Sequence, residues 1–206
     1  MGKYIFIVII GYMLGCLQWS YILGKSLKNV DIRTLGSGNA GASNAVISLG
    51  WRWGSLVAIL DILKAIISIL LIKYLLKDLL SVDKSDYYLY LNGLSVILGH
   101  NHPFYMNFKG GKGTASLIGM MIAIDRRIAI IGIIVILLTT IITDYIALGS
   151  IALAVTFIGT TVFFKYGRGN IIIAIIIALM SIYNHIPNIK RIIEGKELGL
   201  RMALKM

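Results

Sequence analysis

Long apolar runs dominate this chain, and they decide what it can fold into. They lie near residues 4–23, 53–76, 87–101, 114–124, 127–143, 147–164 and 170–185. A helix needs about 20 apolar residues to cross the hydrocarbon core of a bilayer, and fewer where neighbouring helices shield it. We therefore predict an all-α polytopic membrane protein, a bundle of about seven transmembrane helices with cytoplasmic Gly-rich loops. The third and fourth runs are short, so a count of five or six spans stays open.

The composition points to the same class of protein. Hydrophobic residues make up 58% of the chain and charged residues 14%, and the mean hydropathy is +0.85. These values lie outside the range of soluble globular domains. Neither an internal repeat nor a Pro/Ser-rich linker divides the sequence, so we predict one integral membrane domain over residues 1–206. The single cysteine, Cys16, excludes an internal disulfide framework.

The first apolar run has two interpretations. Lys3 followed by apolar residues resembles a signal peptide, and residues 13–16 resemble a lipoprotein cleavage box. However, the run continues past Cys16 to Leu23, and further apolar runs follow it. This continuation favours a first transmembrane span over a cleaved leader.

The basic residues indicate how the chain lies in a membrane. The formal net charge is +11, but Lys and Arg occupy short loops between apolar runs. This placement is typical of contact with anionic headgroups, so we expect no nucleic-acid partner. With seven spans, the loops after the first and third helices and the C-terminal tail share one face and carry more Lys and Arg than the other. The positive-inside rule makes that face cytoplasmic, and all three histidines fall on it.

The segment of residues 99–113, GHNHPFYMNFKGGKG, is the most polar and glycine-rich stretch of the chain. Gly110, Gly111 and Gly113 allow successive N–H groups to turn toward one point and form an anion nest. Lys112 adds a positive charge, and a helix beginning near Thr114 adds the positive end of its dipole. The segment therefore predicts a phosphate site; a flexible hinge between two helices is the alternative.

Another glycine-rich segment, residues 36–44, lies earlier in the chain, reads GSGNAGASN and matches G-x-G-x-x-G. A dinucleotide site needs a βαβ unit around this pattern, and apolar helices flank it here. The glycines still allow the backbone to approach a ligand closely, and the Ser and Asn side chains can donate hydrogen bonds to it. The Gly-Gly-Lys-Gly turn is not a nucleotide-binding P-loop either, because Met106 and Gly113 stand where Gly and Ser/Thr are required.

Three further features carry polar groups. Asp61 and Lys64 lie one helical turn apart near the middle of the second run, so we expect them to face each other and the bundle interior. They are either a brace that orients the loops or a tolerated ion pair.

His185 and Asn188 are three residues apart and can share a helical face, although Pro187 disturbs the turn. His100 and His102 lack the carboxylate or cysteine partners of a metal site, so we expect no metal.

Together these segments resemble the PlsY family of acyl-phosphate:glycerol-3-phosphate acyltransferases over essentially the whole chain. The first family motif is matched by Gly36, Ser37, Gly38, Asn39, Gly41, Ala42, Asn44, Gly50, Asp61 and Lys64. The second is matched by Gly99, His100, Pro103, Phe108, Lys109, Gly110, Gly111, Lys112, Gly113 and Ala115. The third is matched in part by His185, Asn188, Ile189, Arg191, Gly195 and Glu197.

The resemblance implies an activity and a set of site residues. The expected reaction transfers a fatty acyl group from acyl phosphate to the 1-hydroxyl of glycerol 3-phosphate, giving lysophosphatidate and phosphate. It implies no cofactor, membrane lipids as surroundings, and a multi-pass protein of the bacterial plasma (inner) membrane with its active-site loops on the cytoplasmic face. The implied catalytic residues are Ser37, Lys112, His185 and Asn188. The implied substrate-binding residues are Gly36, Gly38, Asn39, Gly41, Asn44, His100, Gly110, Gly111, Gly113 and Glu197.

Departures from the family pattern concern the acceptor. Ile47 stands where the family carries an Arg thought to hold glycerol 3-phosphate, and an Ile cannot contact phosphate in this way. Ala147 and Ile186 also replace polar family residues. Two alternatives therefore stay open: a diverged paralogue that acylates another acceptor, and a non-catalytic binder or transporter of anionic lipids. The general base is either His185 or the acceptor's own phosphate.

Overall fold

The computed structural model of the protein describes residues 2–77 and 85–203, and within these ranges it is helical, without strands. The all-α prediction is therefore confirmed. Among the described residues, turns and two single-turn 3-10 helices lie between α-helices. The described α-helices are α1 (Gly2–Gly15), α2 (Trp19–Lys28), α3 (Ala42–Leu49), α4 (Trp51–Leu75), α5 (Ser85–Asn101), α6 (Thr114–Ile124), α7 (Arg126–Thr143), α8 (Ile146–Phe163), α9 (Arg168–Ile193) and α10 (Leu200–Ala203).

The chain clusters into two compact units, Met1–Ile124 and Asp125–Met206. In the first unit, α1 packs along α5, and α4 packs against α5 and α6. In the second unit, α8 packs against both α7 and α9. Compactness alone does not test whether each unit folds independently, so the single domain over residues 1–206 stays a prediction.

Glycines let α1 and α5 approach closely in the first unit. A Cβ on Gly15 would overlap the backbone of Val96, and a Cβ on Gly99 would overlap the backbone of Tyr12. Helices in lipid associate through close packing and hydrogen bonds, since apolar surface gains little by leaving the acyl chains. The buried pairing of α1 with α5 therefore depends on these small residues.

Five segments of the described chain are long and apolar enough to cross a membrane: Gly2–Lys28 and the helices α4, α7, α8 and α9. The other two predicted runs correspond to α5, with 17 residues, and α6, with 11. On α7, the side chains of Ile134, Leu137 and Ile141 are 50–58% exposed. Such a large apolar outer face is what contact with lipid requires.

The first predicted span, residues 4–23, lies within the membrane-crossing segment Gly2–Lys28 and is interrupted inside it. The backbone breaks between α1 and α2, and α2 continues to Lys28. The break frees the carbonyls of Gly15 and Leu17, which accept hydrogen bonds from Lys64 Nζ at 3.1 and 2.7 Å. Because that donor comes from α4, the apolar run itself carries no sign of the interruption.

Two other segments differ from expectation. Residues 42–44, which the sequence groups with a Gly-rich segment, lie in the short helix α3. Helix α9 continues past Pro187 to Ile193, although proline supplies no N–H to the preceding turn. His185 and Asn188 therefore lie on one helix, three residues apart, and both are buried.

Aspartates fix both ends of α7 in the second unit. Asp125 caps its start, accepting from Arg127 N at 2.8 Å and from the Tyr166 hydroxyl at 3.1 Å. Hydrogen bonds from the Arg127 guanidinium hold the pKa of Asp125 at about 2. At the other end, Asp144 accepts from Arg201 N at 2.8 Å and from Leu200 N at 2.7 Å, which attaches α10 to the α7–α8 turn.

Candidate active site

The first loop, residues 36–41, is organised by the side chain of Asn44 at the start of α3. Gly36 and Gly38 have φ values of 53° and 76°, in the left-handed region that glycine adopts without strain. Asn44 Oδ1 accepts from Ser37 N at 2.7 Å. Its Nδ2 donates to the backbone carbonyls of Ile32, Leu35 and Asn39 at 2.8–3.1 Å. Asn44 is fully buried, so these contacts give it a positioning role, and direct substrate contact by Asn44 stays a prediction.

Ser37 and Asn39 form a hydrogen-bonded pair within this loop. Asn39 Nδ2 donates to Ser37 Oγ at 2.8 Å, and Asn39 Oδ1 accepts from Gly41 N at 2.9 Å. Because Ser37 Oγ accepts the bond from Asn39, the serine hydroxyl keeps its own hydrogen to donate elsewhere. Both side chains are half-buried, as residues that meet a ligand at a surface loop are expected to be.

The second loop, residues 107–113, folds back onto the end of α5. Gly110 N donates to the carbonyl of Asn101, and Gly111 N donates to the carbonyl of His100, each at 3.0 Å. The expectation that Gly110 and Gly111 turn their N–H groups toward an anion is therefore wrong, since both groups are used within the fold. The groups of this segment that suit an anion are at its end, where α6 begins.

The start of α6 supplies these groups. The first N–H groups of an α-helix have no acceptor within the helix, and they carry the positive end of its dipole. Gly113, with φ of 85°, makes the turn into α6. Lys112, half-buried, comes directly before this glycine. A cationic side chain and a helix N-terminus thus lie at one point of the chain, an arrangement that suits an anion.

Direct contacts join the two loops. Ala40 N donates to the carbonyl of Gly110 at 3.2 Å. Arg33 Nη1 donates to the carbonyl of Met106 at 2.7 Å, and the same guanidinium pairs with Asp31 at 2.7 Å. The guanidinium of Arg33 holds the pKa of Asp31 below its usual value. Two segments some seventy residues apart in sequence therefore form one surface of the first unit.

Beneath the second loop lies a buried group of Asp61, Lys64 and His100. Lys64 Nζ lies 2.8 Å from Asp61 Oδ1 and 2.8 Å from His100 Nδ1. The predicted inward-facing Asp61–Lys64 pair is thus confirmed. The carbonyl of His100 accepts from Gln18 Nε2 at 2.6 Å as well as from Gly111 N. His100 therefore connects the α1–α2 break to the second loop.

The imidazole of His100 packs directly against Gly111. A Cβ on Gly111 would overlap the ring at Nε2, so only glycine fits at this position. His100 is 2% exposed. These contacts give His100 a positioning role, and its direct contact with substrate stays a prediction.

The third group of predicted residues lies in the second unit, around α9. His185 Nδ1 lies 2.8 Å from the carbonyl of Ser181, which can only accept, so Nδ1 carries a hydrogen. Glu197 accepts from Asn188 Nδ2 at 2.5 Å and from Arg191 Nε at 2.6 Å. Glu197 thus orients Asn188, and its own substrate contact stays a prediction.

Several residues that shape the first unit were not predicted from the sequence. Arg33 and Gln18 carry no motif signal, since their partners are backbone carbonyls far along the chain. Asn101 is buried beside Gly113, and its only signal is a polar residue at the end of an apolar run. Ile47, which the family pattern had already singled out, packs against Gly36, its Cγ2 3.2 Å from where a Cβ on that glycine would stand.

Metal-ligating side chains do not cluster in the described part of the chain. Within residues 2–77 and 85–203, no group of three or more His, Cys, Asp or Glu side chains is arranged to hold a metal ion.

Comparison with known proteins identifies the family. Residues 5–195 match the family model described as glycerol-3-phosphate acyltransferase. The chain is 47% identical over 198 residues to glycerol-3-phosphate acyltransferase 1 of Oceanobacillus iheyensis, covering 96% of this chain and 95% of the relative. It is 34% identical over 195 residues to the glycerol-3-phosphate acyltransferase of Aquifex aeolicus, covering 95% and 98% of the two chains.

Two solved structures have the same fold. Both are crystal structures of PlsY, an integral membrane glycerol 3-phosphate acyltransferase. The glycerol 3-phosphate form matches with a TM-score of 0.86 and 34% identity, over 96% of this chain and 95% of that one. The lysophosphatidic acid form matches with a TM-score of 0.84 and 32% identity, over 99% and 100%. With its apolar helices, this chain is a multi-pass membrane protein, and it belongs to the glycerol-3-phosphate acyltransferase family.

Proposed function

We propose that this protein transfers a fatty acyl group from acyl phosphate to the 1-hydroxyl of glycerol 3-phosphate, releasing lysophosphatidate and phosphate. The observation that carries the proposal is the hydrogen bond from Ala40 N to the Gly110 carbonyl, which joins two Gly-rich loops into one surface. Membership of the family supports the reaction class, and the relatives' glycerol 3-phosphate and lysophosphatidic acid forms support the acceptor and product.

The donor's phosphoryl group is expected at the start of α6. Lys112 would neutralise its charge, while N–H groups of the first turn of α6 would donate to its oxygens. An acyl phosphate is already activated, so holding the leaving phosphate in place supplies much of the required catalysis. Gly110 and Gly111 would not donate to the phosphate, since their N–H groups are bonded to α5. They would instead hold the second loop in the conformation that leads into α6.

Ser37 is proposed to donate its hydroxyl hydrogen to the substrate. The bond that it accepts from Asn39 fixes the position of Oγ and leaves that hydrogen available to an oxyanion or a phosphate. Gly36, Gly38 and Gly41 would allow the backbone to approach the ligand closely.

His185 and Asn188 are proposed to act on the acceptor. The oxygen of the 1-hydroxyl attacks the acyl carbon, the bond from that carbon to the phosphate oxygen breaks, and phosphate leaves. With a hydrogen on Nδ1, neutral His185 has its lone pair on Nε2, which suits a general base. The acceptor's own phosphate, with a second pKa near 6, is the other route for the proton. Asn188, held by Glu197, would orient the acceptor.

We further propose seven transmembrane helices in one domain, with α5 and α6 crossing the membrane beside the five longer segments. Neighbouring helices can shield spans that are too short by themselves. The excess of Lys and Arg in the Gly-rich loops and C-terminal tail supports a cytoplasmic face for them in a bacterial inner membrane.

A coupled assay tests the proposal. Purified protein in detergent is given palmitoyl phosphate with and without glycerol 3-phosphate, and inorganic phosphate release is followed. We expect release only with the acceptor present, at one phosphate per acylated product. Release without acceptor, or none from folded protein under either condition, would refute acyl transfer to glycerol 3-phosphate.

A further inference from the structure

Asn101 carries a buried side-chain amide that has no role in the proposed mechanism. It is the last residue of α5 and is 3% exposed. Within residues 2–77 and 85–203, neither its Nδ2 nor its Oδ1 has a hydrogen-bond partner. A buried polar group without a partner loses its hydrogen bonds to water and gains none in return, so native structures pair nearly all such groups. An amide with both ends unpaired therefore points to a ligand.

The position of Asn101 indicates where that ligand binds. Its backbone carbonyl accepts from Gly110 N at 3.0 Å, so the residue is attached to the second loop. Its Oδ1 lies 3.0 Å from where a Cβ on Gly113 would stand. The side chain is thus directed at the glycine that begins the turn into α6, next to Lys112 and the N–H groups of the first helical turn.

The chemistry of these neighbours selects the class of ligand. Lys112 and a helix N-terminus both favour an anion. A primary amide offers two N–H donors and an acceptor, which matches a phosphoryl group carrying several oxygens and, when protonated, one hydroxyl. An acyl chain offers no such partners. Asn101 also occupies one of the two positions between His100 and Pro103 that the family motif leaves open.

We infer that Asn101 is a substrate-binding residue whose side-chain amide hydrogen-bonds the phosphoryl group of the acyl donor at the start of α6. The inference rests on the proposed function for the identity of the donor. Binding of a phosphoryl group at this point does not itself depend on turnover. Phosphate binding by Asn101 and the proposed acyl transfer can therefore be tested separately.

The experiment compares Asn101→Leu, Asn101→Asp and Asn107→Gly with the wild type. Leucine keeps the approximate volume without polar atoms, and aspartate keeps the shape while adding a charge that repels phosphate. Asn107 lies in the second loop, is exposed and has φ of 53°, so glycine there removes an amide without strain. Thermal stabilisation by inorganic phosphate is measured for each protein, along with KM for palmitoyl phosphate and for glycerol 3-phosphate.

We expect Asn101→Leu to abolish most of the phosphate-dependent rise in Tm and to raise KM for palmitoyl phosphate about tenfold or more, as loss of a hydrogen bond to a charged group predicts. Asn101→Asp should have a larger effect, and Asn107→Gly should match the wild type. A wild-type protein without a phosphate-dependent Tm shift, an Asn101→Leu variant that keeps the full shift, or a rise in KM for glycerol 3-phosphate alone would overturn the inference. A phosphate shift that depends on Asn101 in a protein without acyltransferase activity would refute the proposed function and leave the phosphate site standing.

Discussion

The ammonium of Lys64 lies 2.8 Å from Nδ1 of His100 in the interior of the first unit. Since an ammonium group can only donate, Nδ1 accepts, and the hydrogen of the neutral imidazole is on Nε2, the atom against which Gly111 packs. The same Nζ bonds the carbonyls of Gly15 and Leu17 at the α1–α2 break. One lysine therefore connects the interrupted first helix, the ion pair with Asp61 and the second Gly-rich loop.

Lys64→Met should destabilise the protein strongly. Removing one partner of a buried ion pair leaves an uncompensated charge on Asp61 and costs about 3–5 kcal/mol. Thermal unfolding in detergent, measured at a fixed lipid-to-protein ratio, checks this. The double variant Asp61→Leu with Lys64→Met should recover part of the loss, because no buried charge remains. Equal stability of Lys64→Met and wild type would contradict the account of this group.

Gly111→Ala should lower acyltransferase activity much more than a Gly→Ala substitution at an open position. Its Cβ would overlap the His100 ring, so the second loop must shift, at a cost of about 1–3 kcal/mol or more. We expect activity to fall at least tenfold. Gly167→Ala is the control, since nothing lies within 4 Å of its Cβ position. Similar activity for the two variants would show that contact between the loop and His100 is dispensable.

Ile47→Arg should improve use of glycerol 3-phosphate. Ile47 packs against Gly36 in the first loop, so an arginine at this position could extend a guanidinium toward the phosphate of the acceptor. We expect KM for glycerol 3-phosphate to fall by about tenfold, the equivalent of one charge-assisted hydrogen bond. Ser43→Arg adds the same charge to an exposed position of α3 and should leave KM nearly unchanged. An unaltered KM in Ile47→Arg would place the acceptor away from Ile47.

Glu197→Ala should lower activity by about tenfold or more, because Asn188 loses the acceptor that orients it and Arg191 loses its ion pair. Glu197→Gln keeps one acceptor oxygen and should retain more activity. Glu194 also pairs with a cation, Lys196, but in an exposed position. Glu194→Ala should therefore behave like wild type, as surface ion pairs contribute little. Steady-state rates at saturating substrate distinguish these outcomes.

Asp125 should make the second unit sensitive to acid. Its pKa in the folded protein is about 2, below the ordinary value of 3.8. The stabilisation from its charged form is therefore complete above pH 4 and is lost as the pH falls toward 2. Asp125→Ala should lower stability at pH 7 by about 0.5–2 kcal/mol, the usual value of a helix cap, and should reduce the loss between pH 4 and pH 2.

The features that the sequence predicted share a local cause. Apolar runs of sufficient length predicted the all-helical membrane fold, and the spacing of Asp61 and Lys64 predicted that they would face each other. The glycines of the two loops mark backbone that needs positive φ, as at Gly36 and Gly113. Each of these properties depends on residues near one another in the chain.

The features that escaped prediction depend on distant partners. The break after Gly15 is stabilised by Lys64, which lies 49 residues away. The N–H groups of Gly110 and Gly111 bond to α5, so the N–H groups that we propose for anion binding are those at the start of α6. Arg33 reaches the carbonyl of Met106, 73 residues away. Hydropathy and motif spacing carry no information about these contacts, because backbone carbonyls have no sequence signature.

Acyl transfer to glycerol 3-phosphate is best tested by detecting the acylated product. Purified protein is incubated with palmitoyl phosphate and glycerol 3-phosphate, and lysophosphatidate acylated at the 1-position is measured by mass spectrometry, with Lys112→Ala and Lys109→Ala as a matched pair. We expect product from the wild type and at least a hundredfold less from Lys112→Ala. Lys109→Ala should form product like the wild type, because the side chain of Lys109 is exposed. Lysophosphatidate formed equally well by Lys112→Ala, or none formed by folded wild-type protein, would contradict the proposed function.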